Sequence, residues 1–390
     1  MRRELVGGQM DRIEFNHGRI GWCCQDSGVS LRELADETGV SESTLSKASS
    51  GEQGLTYAQL KKVADYFGRG VLFFMEEGEA RPERVHTPAF RSIANQKPSI
   101  GSKLRRLIER AEQQRDIYLD LLDEADFESV PRFSHPDLSK DIKRAASLVR
   151  DWLGLKTQCT FDQYRAAIES KGILVFRSNG YHGQWQIAKE NPVLGFSLYS
   201  DKCPLIFVKK QHFETLQTFT LMHELGHILL HKNSSIDDDG DLHHLSGCER
   251  EANEFAGLVL VPDQLLKQIR MRDKPESASE YDYWLESYRR SWGVSGEVII
   301  RRLLDEGLLR SDEYEDYRAY RTALIIPQQD SGGTRMYRHR EPKHIFGDRF
   351  VRVVLDSLSA KSISLAKASS YLDGIKIRDI DSLKGFYAGV

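Results

Sequence analysis

The sequence predicts an α+β protein: an all-α N-terminal domain, a mixed domain with a small sheet, and a helical C-terminal segment. Three observations carry this reading. Between residues 28 and 77 apolar residues recur only at helical spacing, helix and strand patterns mix only after about residue 135, and helical spacing returns near the end. A chain of 390 residues also has room for two or three domains at roughly 100–200 residues each.

Taken in order, Leu31–Thr38 places Leu31, Leu34 and Ala35 on one helical face, and Gly39-Val40-Ser41 ends it. A second helix starts at Ser41, an N-cap with Thr44 three residues on, and turns Leu45 and Ala48 inward. A third, Tyr57–Phe67, follows Thr56 and presents Leu60, Val63, Ala64 and Phe67. Two short helices joined by a glycine-containing turn form a helix-turn-helix. Pro82, Pro88 and Pro98 then mark a boundary or extended connector. Lys103–Asp126 is a long amphipathic helix, followed by helices at Leu138–Leu153 and Phe161–Ser170. Ile173–Phe176, Leu194–Tyr199 and Pro204–Val208 read as strands. A basic run (Arg335, Arg338, His339, Arg340, Lys343, His344, Arg349) reads as a solvated loop, with a protein or nucleic-acid contact as the sharper alternative. Helices at Phe350–Leu358 and Ser364–Leu372 follow it. The domain expectation is therefore 1–78, 79–135 (linker and long helix), 136–310 and 311–390.

Composition narrows the function. With 40% hydrophobic and 29% charged residues, the chain is neither fibrous nor mostly disordered. The balance of 55 Lys+Arg against 58 Asp+Glu gives no global attraction to nucleic acid, so DNA binding must be local. If the second helix of the motif reads DNA, Ser41, Glu42, Ser43, Thr44 and Lys47 face the groove, with a single cation among them. Affinity as a monomer should be modest, and a homodimer would double the contacts. Protein docking is the other reading of this small domain. No apolar run approaches the ~20 residues that span a bilayer, and Arg2 and Arg3 have no apolar segment behind them. Five cysteines without C-x-x-C spacing favour a reducing cytoplasm, and Cys23-Cys24 are assigned no role.

The chemistry lies in Thr218-Phe-Thr-Leu-Met-His223-Glu224-Leu-Gly-His227-Ile-Leu-Leu-His231. In H-E-x-x-H on a helix, histidines at i and i+4 share a face and can bind one zinc ion, while Glu224 sits beside the metal rather than on it. A third ligand is needed. In Cys248-Glu249-Arg-Glu251-Ala252-Asn253-Glu-Phe255-Ala256, the apolar face is Ala252, Phe255 and Ala256, and Glu249 lies one turn earlier on the adjoining face. Glu251 is rotated about 200° from it on an ideal helix, so both cannot reach one metal. Glu249 is chosen, with Glu251 the alternative.

Together these residues resemble the ImmA/IrrE family of zinc metallopeptidases, with its T-x-x-H-E-x-x-H helix and E-x-x-A-N-x-F-A-x-x-L-x-x-P segment. Here the second part reads Glu249-Arg-Glu-Ala-Asn-Glu-Phe-Ala-Gly-Leu-Val-Leu-Val-Pro262. Val294-Ser-Gly-Glu-Val298-Ile-Ile-Arg-Arg-Leu303 fits a V-S-x-x-V-x-x-R-L segment with one extra residue. A further aspartate-phenylalanine-arginine motif is present only in part, as Ala89-Phe90-Arg91. Many members carry an Xre-type helix-turn-helix, as residues 28–77 do here. The resemblance implies a zincin-like endopeptidase that cleaves a specific repressor or antitoxin-like regulator under stress or mobile-element control. The rival is a DNA-binding antitoxin or repressor whose zincin fold serves partner binding.

The implied site is zinc on His223, His227 and Glu249, with Glu224 as general base and then acid; manganese or iron would suit the same ligands. The strand ending near Val208 is expected to pair with an extended substrate. Tyr181, His182, His243 and His244 are the candidates for an oxyanion donor. His231 lacks the metzincin spacing and reads as a partner of the ligands or of the helix end. Asp237-Asp-Asp-Gly-Asp241 resembles a calcium loop, but Ser235 and Ser246 occupy its first and twelfth positions, so it reads as a solvated loop. Cys248 reads as a buried, inert thiol, with modulation of the site by oxidation as the alternative.

Overall fold

The computed structural model describes residues 12–26, 29–67, 69–78, 102–124, 130–156, 159–179, 184–188, 191–238, 247–324 and 335–389. Among these residues the chain divides into two units, 12–78 with 102–106 and 107–389.

In the first unit, β1 (Arg12–Ile13) precedes the helices α1 (Gly18–Asp26), α2 (Leu31–Thr38) and α3 (Glu42–Ser49). Next come β2 (Leu55–Thr56), α4 (Tyr57–Phe67) and α5 (Val71–Met75). Ser30 and Glu33 form a reciprocal capping box that opens α2, and Gly39 closes it in the left-handed region at φ 64°. The Ser41 hydroxyl accepts from Thr44 N–H and starts α3. Ile20, Leu34, Leu45, Leu60 and Phe74 are fully buried at the centre. The helix α1 and the pairing of β1 with β2 are additions to the sequence reading, since strands of two residues show no period.

The second unit begins in α6 (Ser102–Glu124), which buries Leu107, Ile108, Ala111 and Tyr118. It continues through α7 (Ile142–Leu153), capped by Asp141, and α8 (Phe161–Glu169), opened by a Thr160/Gln163 capping box. Four strands follow: β3 (Leu174–Arg177), β4 (Val193–Leu198), β5 (Leu205–Val208) and β6 (Ser235–Asp238). They form one sheet in the order β3-β5-β4-β6, with β3 parallel to β5 and β4 antiparallel to both β5 and β6. This corrects the expectation for the strand ending at Val208. As β5 it lies inside the sheet with both edges paired, so it cannot add a substrate strand.

Helix α9 (Glu214–Gly226) packs on β4 and β5, and α10 (Gly247–Leu260) packs on α9 and α7. The remaining helices are α11 (Asp263–Leu266), α12 (Tyr281–Trp284), α13 (Glu286–Trp292), α14 (Gly296–Asp305), α15 (Ser311–Ala323), α16 (Glu341–Ser359), α17 (Leu365–Tyr371) and α18 (Ile377–Ala388). On α14, buried Arg302 donates to the Val261 carbonyl at 3.2 Å and to Asp263 at 2.7 Å, clamping the end of α10.

The basic run is not a solvated loop in its second half. The Lys343, His344 and Ile345 carbonyls accept from Arg165, and Arg177 donates to His344 Nδ1 at 2.7 Å. Arg349 donates to Tyr118 Oη and to the Glu169 carbonyl. Charges that look solvated in sequence thus cap buried carbonyls, and α16 starts earlier than expected and bends at Gly347 (φ 81°). Among the described residues no helix is long and apolar enough to cross a membrane.

Candidate metal centre

Residues 217–226 of α9 are all buried, as expected of a helix that is covered on every side. The next five residues, His227–His231, form a turn of π-helix, a wider turn that recurs at functional sites. Helix α10 comes very close at Gly226, where an added Cβ would lie 3.1 Å from Phe255 Cδ1 and 3.3 Å from Ala252 Cα. That contact brings Glu249, near the start of α10, to the histidine pair.

His223 Nε2 and His227 Nε2 face each other at 3.1 Å. Glu249 Oε2 is 3.3 Å from the first and 3.5 Å from the second. A fourth donor, Asp237 Oδ2 on β6, is 3.3 Å and 3.6 Å from the same two atoms. These four residues form a cluster of metal-ligand type. The donor set fits a divalent ion: neither carboxylate oxygen makes a directed hydrogen bond, and edges of 3.1–3.6 Å suit four donors around a centre with bonds of about 2.0–2.2 Å.

The electrostatics agree. Burial pushes the His223 imidazole down, but Asp237 and Glu249 outweigh it and raise it to about 9. Burial alone would raise Asp237; His223 and His227 hold it well below the ordinary carboxylate range. Glu249 is likewise held near 2 against its burial by His223 and His227. Two carboxylates kept charged side by side, Asp237 buried and Glu249 partly exposed, favour a cation there.

Glu224 is fully buried beside this cluster. Burial first, and then Asp237, push its carboxyl well above the ordinary range, with Ser197 opposing. Gly195 on β4 lets the sheet come this close: an added Cβ would lie 2.7 Å from Thr220 Cγ2 and 2.9 Å from Glu224 Oε1.

His231 stands behind the ligands. His227 Nδ1 is 3.1 Å from His231 Nδ1, and His231 Nε2 is 3.1 Å from Glu251 Oε2. Burial holds His231 below its ordinary pKa despite Glu251, which favours the neutral ring. A neutral His231 can accept from His227 Nδ1–H while donating Nε2–H to Glu251, leaving His227 Nε2 as a lone-pair donor. Glu249 therefore faces the cluster, and Glu251 is turned to His231.

Two expectations are corrected. Asp237 is on a strand and 1% exposed, not in a solvated loop. Cys248 is exposed rather than buried. Asp237, Gly195 and Ser197 are the site residues that sequence reasoning missed. Tyr181, His182, His243, His244 and Ala89-Phe90-Arg91 lie outside the described residues, as do Asp241 and Ser246. On α3, Ser41, Ser43 and Lys47 are exposed, whereas Thr44 is half-buried with its hydroxyl 2.7 Å from that of Ser41.

A helix-turn-helix unit, and a helix-borne H-E-x-x-H beneath a small mixed sheet, define the class: a helix-turn-helix protein with a domain of metallopeptidase type. Comparison with known families sharpens this. Residues 168–304 match the IrrE N-terminal-like domain of the M78 peptidases, and residues 22–74 match a helix-turn-helix family. Residues 168–304 are thus similar to IrrE/ImmA-like peptidase domains, and residues 22–74, earlier in the chain, to Xre-type helix-turn-helix domains. No curated protein matches it.

Proposed function

We propose that the chain is a regulatory zinc endopeptidase that cleaves a specific protein, with a transcriptional repressor or antitoxin-like regulator as the substrate class. The observation that carries this is the convergence of His223, His227 and Glu249 within 3.1–3.5 Å of one another, with Glu224 between the histidines in sequence. These three residues would hold the ion; manganese and iron suit the same nitrogen and oxygen donors. When bound, the ion supplies Lewis acidity toward a peptide carbonyl and acidifies water near neutral pH.

The chain's own part is proton transfer and positioning. The Glu224 carboxylate takes the proton of the attacking water and returns it to the leaving amine. His231 and Glu251 keep His227 in the tautomer that leaves Nε2 free. The helix-turn-helix places the peptidase at DNA or at a DNA-bound regulator through α3, where Lys47 supplies the phosphate contact.

The test compares protein N-termini, by peptide mass spectrometry, in cells carrying wild type or Glu224→Gln. A small set of new N-termini present only with wild type is expected. Identical termini together with unchanged biological activity would refute the enzyme and favour a repressor or antitoxin whose peptidase-like domain binds partners.

A further inference from the structure

We propose that Asp237 is a fourth protein ligand of this centre, and that β6 thereby keeps the peptidase closed by lying where an extended substrate would pair with β4. The proposal rests on the metallopeptidase reading above and concerns how that site is regulated.

Four protein donors are one too many for a working site. Catalytic zinc keeps three protein ligands and an open position, whereas sites with four are closed and structural. Asp237 is built to fill the fourth position. Its Oδ1 accepts from the Ser235 hydroxyl at 2.7 Å, which leaves Oδ2 aimed at the two imidazoles. At 1% exposure, a charged carboxylate needs such partners to offset its desolvation.

The strand geometry makes the same point. One edge of β4 is paired with β5 and the other with β6, and Asp237 stands opposite Gly195 in the second pairing. Gly195 is where the sheet touches Glu224. Extended peptides bind by adding a strand to a free sheet edge. A peptide bond brought to this cluster along β4 must run where the Asp237 backbone now runs. Because β6 begins at Ser235, just beyond the π turn that ends at His231, it competes in cis at high effective concentration.

Glu224 supplies the independent observation. It is 0% exposed, yet a general base must touch both water and the leaving amine. In this conformation it can touch neither, and displacing β6 opens both Glu224 and the fourth metal position.

The test uses the full chain loaded with cobalt(II), whose visible absorption reports coordination, titrated with acetohydroxamate. Wild type should bind one equivalent of cobalt and show little spectral change. Asp237→Ala should keep the equivalent and shift on adding the probe, with an apparent affinity roughly tenfold or more above wild type, because closure lowers wild-type affinity by the open fraction. Ser235→Ala, which leaves Asp237 in place but unanchored, should fall between them and carries the test if Asp237→Ala does not fold. A wild-type shift at the same probe concentrations as the variants would overturn the closed-site proposal and leave the metal centre standing. A wild type that binds neither cobalt nor zinc would overturn the metal reading itself, and this proposal with it.

Discussion

Gly195→Ala probes the approach of sheet to helix on which the centre depends. An alanine Cβ there would sit 2.7 Å from Thr220 Cγ2, 2.9 Å from Glu224 Oε1 and 2.9 Å from the Phe207 carbonyl oxygen. Carbon atoms in contact prefer about 3.5–4.0 Å, so the overlap with Thr220 is roughly 1 Å. The Phe207 oxygen belongs to β5, and α9 is buried throughout residues 217–226, so neither neighbour can retreat freely. Overpacking of this kind costs about 2–3 kcal/mol. At a urea slope near 2–3 kcal/mol/M, that lowers the unfolding midpoint of the larger unit by about 1 M. Displacing Glu224 from its place beside the cluster should also weaken zinc binding, measured by chelator competition. Thr220→Ser removes the closest methyl and should restore about 1 kcal/mol in a double-mutant cycle. Unchanged unfolding in Gly195→Ala, or no rescue by Thr220→Ser, would refute the close approach.

Glu251→Ala should keep one bound metal equivalent while lowering its affinity roughly 10- to 100-fold, since it removes the acceptor that His231 Nε2–H donates to; loss of the equivalent would instead make Glu251 a ligand. Glu169 gives a pH dependence: burial raises its carboxyl to about 7 against Arg165. The folded state therefore holds this proton more tightly than the unfolded chain. Its contribution is fully present below about pH 4.5 and is lost as pH rises through 7, on the order of 3 kcal/mol. Denaturation at pH 5 and pH 8 should show that loss in wild type and not in Glu169→Gln, and equal slopes would contradict it. Lys47→Ala should weaken DNA retention about equally across sequences and reduce the salt slope by about one, whereas wild type failing to bind DNA at low salt would remove that role from α3.

What could be read from the chain divides by the range of the interaction. His223 and His227 are legible because helical spacing alone puts i and i+4 on one face, and Glu249 because α10 has a clear apolar face one turn beyond it. Gly39 and Ser41 announce the end of α2 and the start of α3 through local capping chemistry. Asp237 is different. Its place depends on β6 pairing with β4 some forty residues earlier, and nothing in Ser235-Ile236-Asp237-Asp238 distinguishes a buried polar strand from a solvated loop. Gly195 was equally silent, because a glycine needed for close approach looks like any other until the neighbouring helix is placed. The π turn at His227–His231 has no sequence signal, so the link from His231 to Glu251 became visible only in three dimensions. Arg165 and Arg349 illustrate the same limit, since a charge that caps distant carbonyls has the same local pattern as one in water.

The central claim is a metal centre held by His223, His227 and Glu249, with Glu224 beside it but not bound to it. Zinc equivalents per chain, measured by mass spectrometry under native conditions, test this most directly. The account predicts one equivalent for wild type and for Glu224→Gln, and none for a His223→Ala/His227→Ala double variant. Wild type without zinc, or a double variant that retains it, would contradict the account.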